Sequence, residues 1–334
     1  MVLLGYIALA VVGTAIVWVG SGWLETSSAR LSVYYQLPAI VQGAVVAAVG
    51  SSFPELSSTV LATLLHGDFD LGVSAIVGSA IFNILIIPGL AGLIGGQLVA
   101  ERDLVYKDAQ FYVTSVAVLL LAFSFAVIYN PVEGQPLVGR VDRLIALVPI
   151  LLYGLYLFLH QQDTIEHVAE KVPDDLRVGR QWTLLIASLA LILIGVEGLV
   201  RAAIGFGEYF GTPSFLWGLT VIAAATSLPD ALVSIKAAQR GEGTVSMANV
   251  LGSNIFDLLI AVPVGVLIAG AATVDFTVAA PMMGFLTLAT IILFAMLRTR
   301  LTLTRTECII LLVLYGIFVG WMVLETVGIT GIVT

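Results

Sequence analysis

The chain has 334 residues, 59% of them hydrophobic and 11% charged, with a mean hydropathy of +1.07 and a formal net charge of −8. That composition excludes a soluble globular protein and describes a polytopic membrane protein. A single cysteine, Cys308, excludes an intramolecular disulfide and reads as a packing residue in the last apolar run.

Apolar runs of spanning length fall at 2–23, 36–64, 70–97, 106–129, 140–160, 182–204, 214–237, 244–270, 273–297 and 305–325, about ten in all. The first run begins MVLLGY, lacks a basic leader and is long, so it reads as a membrane span rather than a cleaved signal peptide. The stretch 161–181 is the longest aqueous segment. It is too short for a core of its own, so it reads as a solvated linker between units 1–160 and 182–334, with no regulatory domain. His66, His160 and His167 lie at span ends or in this linker and read as solvated residues.

Ten spans put both termini on one side. With the termini outside, 11 of the 14 basic residues fall on the cytoplasmic side, and only Arg140, Arg143 and Arg201 fall outside. The expected location is therefore a cell membrane, with extracellular termini and a cytoplasmic linker. Anionic lipid accounts for the basic residues without a nucleic-acid partner. Five spans per half mean that the second half enters the membrane in the opposite sense, as an inverted repeat.

The two halves carry one motif twice. Gly43 to Glu55, GAVVAAVGSSFPE, is answered by Gly218 to Asp230, GLTVIAAATSLPD. Each copy is followed by a partner, Gly78 to Asn83 (GSAIFN) and Gly252 to Asp257 (GSNIFD), and Pro88 answers Pro263. A carboxylate in lipid is costly and marks function. Pro54 and Pro229 free backbone carbonyls just before Glu55 and Asp230. Ser51 with Glu55, Thr226 with Asp230, Ser79 with Asn83, and Ser253 with Asp257 are spaced i, i+4 on shared helix faces. Together with Ser52 and Ser227 they form a set of hard oxygen donors without Lys, Arg, His or Cys, which suits Ca²⁺ or Na⁺ and not zinc.

The segments GSSFPE, GSAIFN, TSLPD and GSNIFD resemble the α-repeats of the cation/calcium exchanger superfamily, in its sodium/calcium exchanger branch. The resemblance implies an all-α fold of ten transmembrane helices in two inverted five-helix repeats, with discontinuous helices at the ion site. It implies a secondary antiporter, not an enzyme, exchanging Na⁺ for Ca²⁺ with no cofactor. Glu55 and Asp230 would be carboxylates shared by both ions, with Ser51 and Thr226 as hydroxyl ligands and Ala48 and Ala223 as carbonyl ligands. Ser52, Ser79, Ser227 and Ser253 would serve flanking Na⁺ positions, and Asn83 and Asp257 would complete the centre. The first and sixth spans would slide over the remaining eight.

Departures from the family pattern leave other readings open. Asp230 stands where many members carry Glu, and Ala75 stands where the family commonly has Asn, as Asn249 does in the second half. Asn83 with Asp257 reads like the potassium-dependent subgroup. Protons in place of Na⁺ would make an H⁺/Ca²⁺ antiporter. More distant are a cation channel and an intramembrane aspartyl protease built on Asp230 and Asp257. Glu197 overlays Gly22, and is expected to be an unpaired acid near a span end with a structural or snorkelling role.

Overall fold

The computed structural model describes residues 1–37, 46, 48–96, 98–102, 104–163 and 176–331. Among them the helices run α1 Val2–Tyr34, α2 Ala48–His66, α3 Phe69–Gly95, α4 Leu104–Tyr129, α5 Arg143–Asp163, α6 Val178–Phe210, α7 Ser214–Gln239, α8 Gly243–Ala269, α9 Phe276–Arg300 and α10 Arg305–Thr326. Eight of these are long and apolar enough to cross a membrane, and α5 contributes a shorter apolar stretch, Arg143–Leu159. The second expected span is represented by α2. Residues 38–45 of its run, 36–64, lie outside the described residues, as does most of the linker.

The apolar run of the first span stops near Trp23, but the helix continues to Tyr34. A helix of 33 residues is about 50 Å long, well beyond the roughly 30 Å of hydrocarbon it crosses. Its last third, GWLETSSARLSVY, is polar enough to escape hydropathy, yet it contains no proline and no glycine after Gly22.

Two short sheets fix the topology. Strand β1 (Leu98–Val99), between α3 and α4, pairs antiparallel with β4 (Thr302–Leu303), between α9 and α10. Strand β2 (Val138–Asp142), between α4 and α5, pairs with β3 (Ala271–Asp275), between α8 and α9. In each case the connection between the third and fourth helices of one half pairs with that between the fourth and fifth of the other. Those connections lie at opposite ends of their shared helix. Two spanning repeats can pair this way only if they are inverted, as an odd number of spans per half predicts.

Helix α3 is the hub. In its most apolar window 94% of residues are buried, against 11% for α1 at the rim. It packs on α2, α7 and α10, and Gly78 and Gly218 hold α3 and the start of α7 in backbone contact. A Cβ on Gly78 would run into the Leu219 carbonyl, and one on Gly218 into Ser74 and the Leu71 carbonyl. Helices α1 and α6 form a long antiparallel pair. Gly13 faces Gly195, Gly20 faces Ile192, and Gly205 lies beneath the Tyr6 ring.

Candidate functional site

The helix discontinuities take the form of π-helical turns. Gly218–Ile222 is π-helical just before Ala223, and Asp257–Ala261 is π-helical from the acid onward. Position 46, the counterpart of Val221, is π-helical as well. Such turns widen the hydrogen-bond ladder at functional sites. Pro54 and Pro229 then sit inside helices Ala48–His66 and Ala223–Gln239, where each removes one further backbone donor.

The four motif helices, α2, α3, α7 and α8, meet at the centre, and the contacts cross between halves. Ser51 Oγ lies 3.0 Å from Ser253 Oγ, and Ser52 Oγ donates to the Ser253 carbonyl at 3.4 Å. In the mirrored contact, Ser227 Oγ lies 2.6 Å from Ser79 Oγ, and Ser79 donates to Glu55 Oε1 at 3.3 Å. Thr226 lies beside Glu55, while its hydroxyl donates to the carbonyls of Ile222 and Ala223 at 3.1 and 3.3 Å. The Ala48 carbonyl likewise accepts from Ser51 at 3.2 Å. Glu55, Asp230 and Asp257 lie within one another's electrostatic reach. The structure thus gathers the residues that the sequence singled out on these four helices, with Asn83 joined to the group through Asn254, the neighbour of Ser253.

The burial is nearly complete. Glu55 is 1% exposed, Asp230 3% and Asp257 0%. Yet Glu55 Oε2, Asp230 Oδ2, both carboxylate oxygens of Asp257 and Asn83 Oδ1 have no hydrogen-bond partner. Buried polar atoms are ordinarily satisfied, because an orphan forfeits its hydration without return. Here every orphan in the cluster is an oxygen acceptor, and three of the side chains are acids. That pattern calls for positive charge, from metal ions or protons. No three His, Cys, Asp or Glu side chains among the described residues converge closely enough to hold a metal by themselves. A cation at this centre would therefore need hydroxyl, amide and carbonyl oxygens beside any one carboxylate, the mixed shell typical of hard ions.

Sequence reasoning missed Asn254. It is fully buried, accepts from Asn83 Nδ2 at 2.9 Å, and donates to the Ala80 carbonyl at 3.3 Å and the Tyr112 hydroxyl at 3.2 Å. The signal was present in the overlay of GSAIFN on GSNIFD, where Ala80 and Asn254 are counterparts and only one is polar. Asn249 bonds to Ser234 at 3.2 Å, whereas Ala75 is simply buried among apolar neighbours.

Two expectations are corrected at the end of α2. Glu197 is not an unpaired acid. Its Oε1 lies 2.6 Å from Arg201 Nε, one helical turn on, and 3.1 Å from His66 Nε2. His66 is correspondingly not a solvated loop residue, since it bridges the end of α2 to α6. The overlay on Gly22 compared positions within the repeats and could not reveal a partner 131 residues away. Cys308 is buried as expected, with its sulfur against Gly92. The ring of His160, and all of His167, lie outside the described residues.

A model of the family described as sodium/calcium exchanger protein matches residues 5–160 and 180–324. The chain belongs to the sodium/calcium exchanger family. A relative from Methanocaldococcus jannaschii, the uncharacterized membrane protein MJ0091, is 28% identical over 265 residues, which cover 79% of this chain and 82% of that one. The solved sodium-calcium exchanger NCX_Mj, soaked with 2.5 mM Na⁺ and 10 mM Sr²⁺, superposes with a TM-score of 0.63 at 25% identity over 96% of this chain and 99% of that one. An H⁺/Ca²⁺ exchanger, CAX, superposes at 0.73 over 97% and 87%, but at 14% identity it speaks for the fold alone. Exchanger-family membership displaces the protease reading of Asp230 and Asp257. The family carries out transport, not catalysis.

Proposed function

We propose that the chain is a secondary antiporter that exchanges Na⁺ for Ca²⁺ by alternating access. The observation that carries this reading is the set of orphaned, buried oxygen acceptors at the junction of the two inverted halves. Glu55 and Asp230 serve as carboxylates shared by both ions, with Ser51, Thr226 and the Ala48 and Ala223 carbonyls completing the Ca²⁺ shell. Ser52, Ser79, Ser227 and Ser253 serve the flanking Na⁺ positions, and Asn83 and Asp257 complete the centre.

Three acids in a water-excluded site repel one another strongly when bare, so an unloaded centre is unfavourable and does not change faces readily. Ca²⁺ and Na⁺ that use the same carboxylates cannot all bind together, and this competition couples their opposite movements. Inversion supplies the second requirement. Each half can adopt the conformation of the other, with the α1–α6 pair shifting over the remaining helices, so the same site opens to either face.

Further parts of the proposal are the orientation, with extracellular termini and a cytoplasmic linker at 161–181, and the division into repeats 1–160 and 182–334. Potassium co-transport is a second reading favoured by one observation: both carboxylate oxygens of Asp257 are unpartnered, whereas its counterpart Asn83 is held by Asn254. Asp257→Asn should alter the monovalent-ion dependence, and comparing exchange with and without K⁺ measures it.

The test of the main reading is Ca²⁺ uptake into proteoliposomes loaded with Na⁺, with pH clamped on both sides. Uptake should follow the imposed Na⁺ gradient. Uptake that needs only a pH gradient would make the protein an H⁺/Ca²⁺ antiporter, and uptake without any counter-ion would make it a channel.

A further inference from the structure

The last third of α1 carries a polar face that neither the family resemblance nor the central site uses. Ser21, Glu25, Ser28 and Ser32 follow one another at i, i+4, i+7 and i+11, so they line a single stripe of the helix. The stripe begins near the level of the ion site and runs to the end of the helix at Tyr34.

Its position is fixed by Gly50, five residues before Glu55. A Cβ on Gly50 would lie 3.4 Å from Ser28 Oγ and 3.8 Å from the Glu25 Cα, so the stripe packs against the motif helix where it lacks a side chain. Five residues of helix are about 7.5 Å, which places Glu25 roughly one and a half turns from the level of Glu55, toward the face bearing β1 and β4. Helix α1 also packs on α7, and Glu25 interacts there with two charged groups: Asp230 and, on the same side as itself, Lys236.

Two buried atoms indicate that the stripe faces a ligand rather than lipid. Ser21 is 3% exposed, and its Oγ has no hydrogen-bond partner. Asp230, toward which Glu25 exerts its field, is equally buried, with Oδ2 unpartnered. Glu25 itself is exposed. An exposed acid stands between hydroxyls and a buried, unsatisfied carboxylate; the Ser28 and Ser32 hydroxyls donate to the Glu25 and Ala29 carbonyls at 3.1 and 2.8 Å and keep oxygen lone pairs for a cation. A lipid-facing surface at this depth would not carry it.

We infer that Glu25 is a staging site for the transported cations, holding a hydrated Ca²⁺ or Na⁺ on the Ser21–Ser32 stripe of α1 between one membrane face and the central carboxylates. The inference rests on the exchange reading given above. Glu25 concentrates cations at one mouth of the site, Ser28 and Ser32 supply oxygens toward the face, and Ser21 supplies one toward the centre. Lys236, near the same acid, keeps the site weak, so that an ion held there can move on. The device belongs to one face only, because α6 carries Val200 at the matching position of the second half, and the acid nearest it on that helix, Glu197, is paired with Arg201 and His66.

The test is side-specific kinetics in proteoliposomes whose protein orientation has been sorted, with ⁴⁵Ca²⁺ flux measured as a function of Ca²⁺ on each side. For Glu25→Gln, the apparent KM for Ca²⁺ should rise about tenfold on the face bearing β1 and β4, the low end of what charge focusing in a cleft delivers. The KM on the opposite face and the maximal rate should stay within error of wild type. Glu25→Asp, which keeps the charge, should restore most of the loss, and the difference between Glu25→Gln and wild type should shrink as ionic strength is raised. Equal KM values on both faces for Glu25→Gln and wild type would overturn the inference. So would a loss that is the same on both faces, or one that Glu25→Asp does not relieve, since either would mark a structural residue. Failure of the wild type to exchange at all would instead refute the functional reading.

Discussion

The close pairing of α1 and α6 can be tested by adding single methyl groups to it. A Cβ on Gly195 would lie 2.9 Å from the Gly13 carbonyl oxygen and from Val17 Cγ2, and 3.1 Å from the Val17 amide nitrogen. Ordinary carbon contacts begin near 3.4 Å. Two of these neighbours are backbone atoms, which cannot swing aside as a side-chain tip could, so Gly195→Ala must part the helices by roughly 0.5 Å. Overpacking of this kind costs about 1–3 kcal/mol. Against it stands the gain of about 1 kcal/mol from replacing a helical glycine by alanine. The balance is a net loss of up to about 2 kcal/mol. Gly22→Ala is the control, because nothing lies within 4 Å of its Cβ position and only the propensity gain remains. Gly198→Ala, whose Cβ would meet only Leu9, with Cδ1 at 3.4 Å and its carbonyl oxygen at 3.9 Å, should fall between them. The assay is thermal unfolding of the purified proteins in one detergent, and the expected order of midpoints is Gly22→Ala above Gly198→Ala above Gly195→Ala. A Gly195→Ala protein as stable as Gly22→Ala would mean that the two helices are not in backbone contact, and the reasoning would fail.

Glu55→Gln and Asp230→Asn keep side-chain bulk and remove one negative charge. Taking one partner from a buried ionic site costs on the order of 3 kcal/mol, which corresponds to Ca²⁺ affinity falling by more than about 100-fold while the folded yield is preserved; Ca²⁺-binding titration checks this. Asn254→Ala strips partners from the buried Asn83 and Tyr112 and should lower stability by about 1–3 kcal/mol, read from thermal unfolding alongside Asn254→Asp. Cys308 should resist a maleimide reagent in the folded protein and react once the chain is denatured, because its sulfur is packed against Gly92.

The sequence made the membrane architecture legible because lipid imposes a severe rule on composition: spanning segments must be apolar, and basic residues are retained on one side. The duplicated motif then located the centre, since acids after proline in two apolar runs have few structural explanations. What escaped was whatever depends on neighbours far apart in the chain. Glu197 looked solitary until His66 appeared beside it from another helix. The end of α1 looked like a loop because Glu25, Ser27, Ser28 and Arg30 lower its hydropathy, although nothing in it breaks a helix. Asn254 was visible as a difference between two otherwise matching hexapeptides, but its role required knowing that Asn83 and Tyr112 converge on it. The π-helical form of the discontinuities had no sequence signal beyond the prolines, which lie several residues farther along.

On the proposed exchange reading, one site, built from Glu55, Asp230 and Asp257 across two inverted halves, serves both ions in turn. Equilibrium ⁴⁵Ca²⁺ binding to the purified protein, titrated with Na⁺ at fixed pH, tests it most directly. Competitive displacement is expected, with an apparent Ca²⁺ Kd that climbs more steeply than the first power of Na⁺ concentration, because several Na⁺ ions replace one Ca²⁺. Bound Ca²⁺ that is indifferent to Na⁺ but released by protons would contradict it.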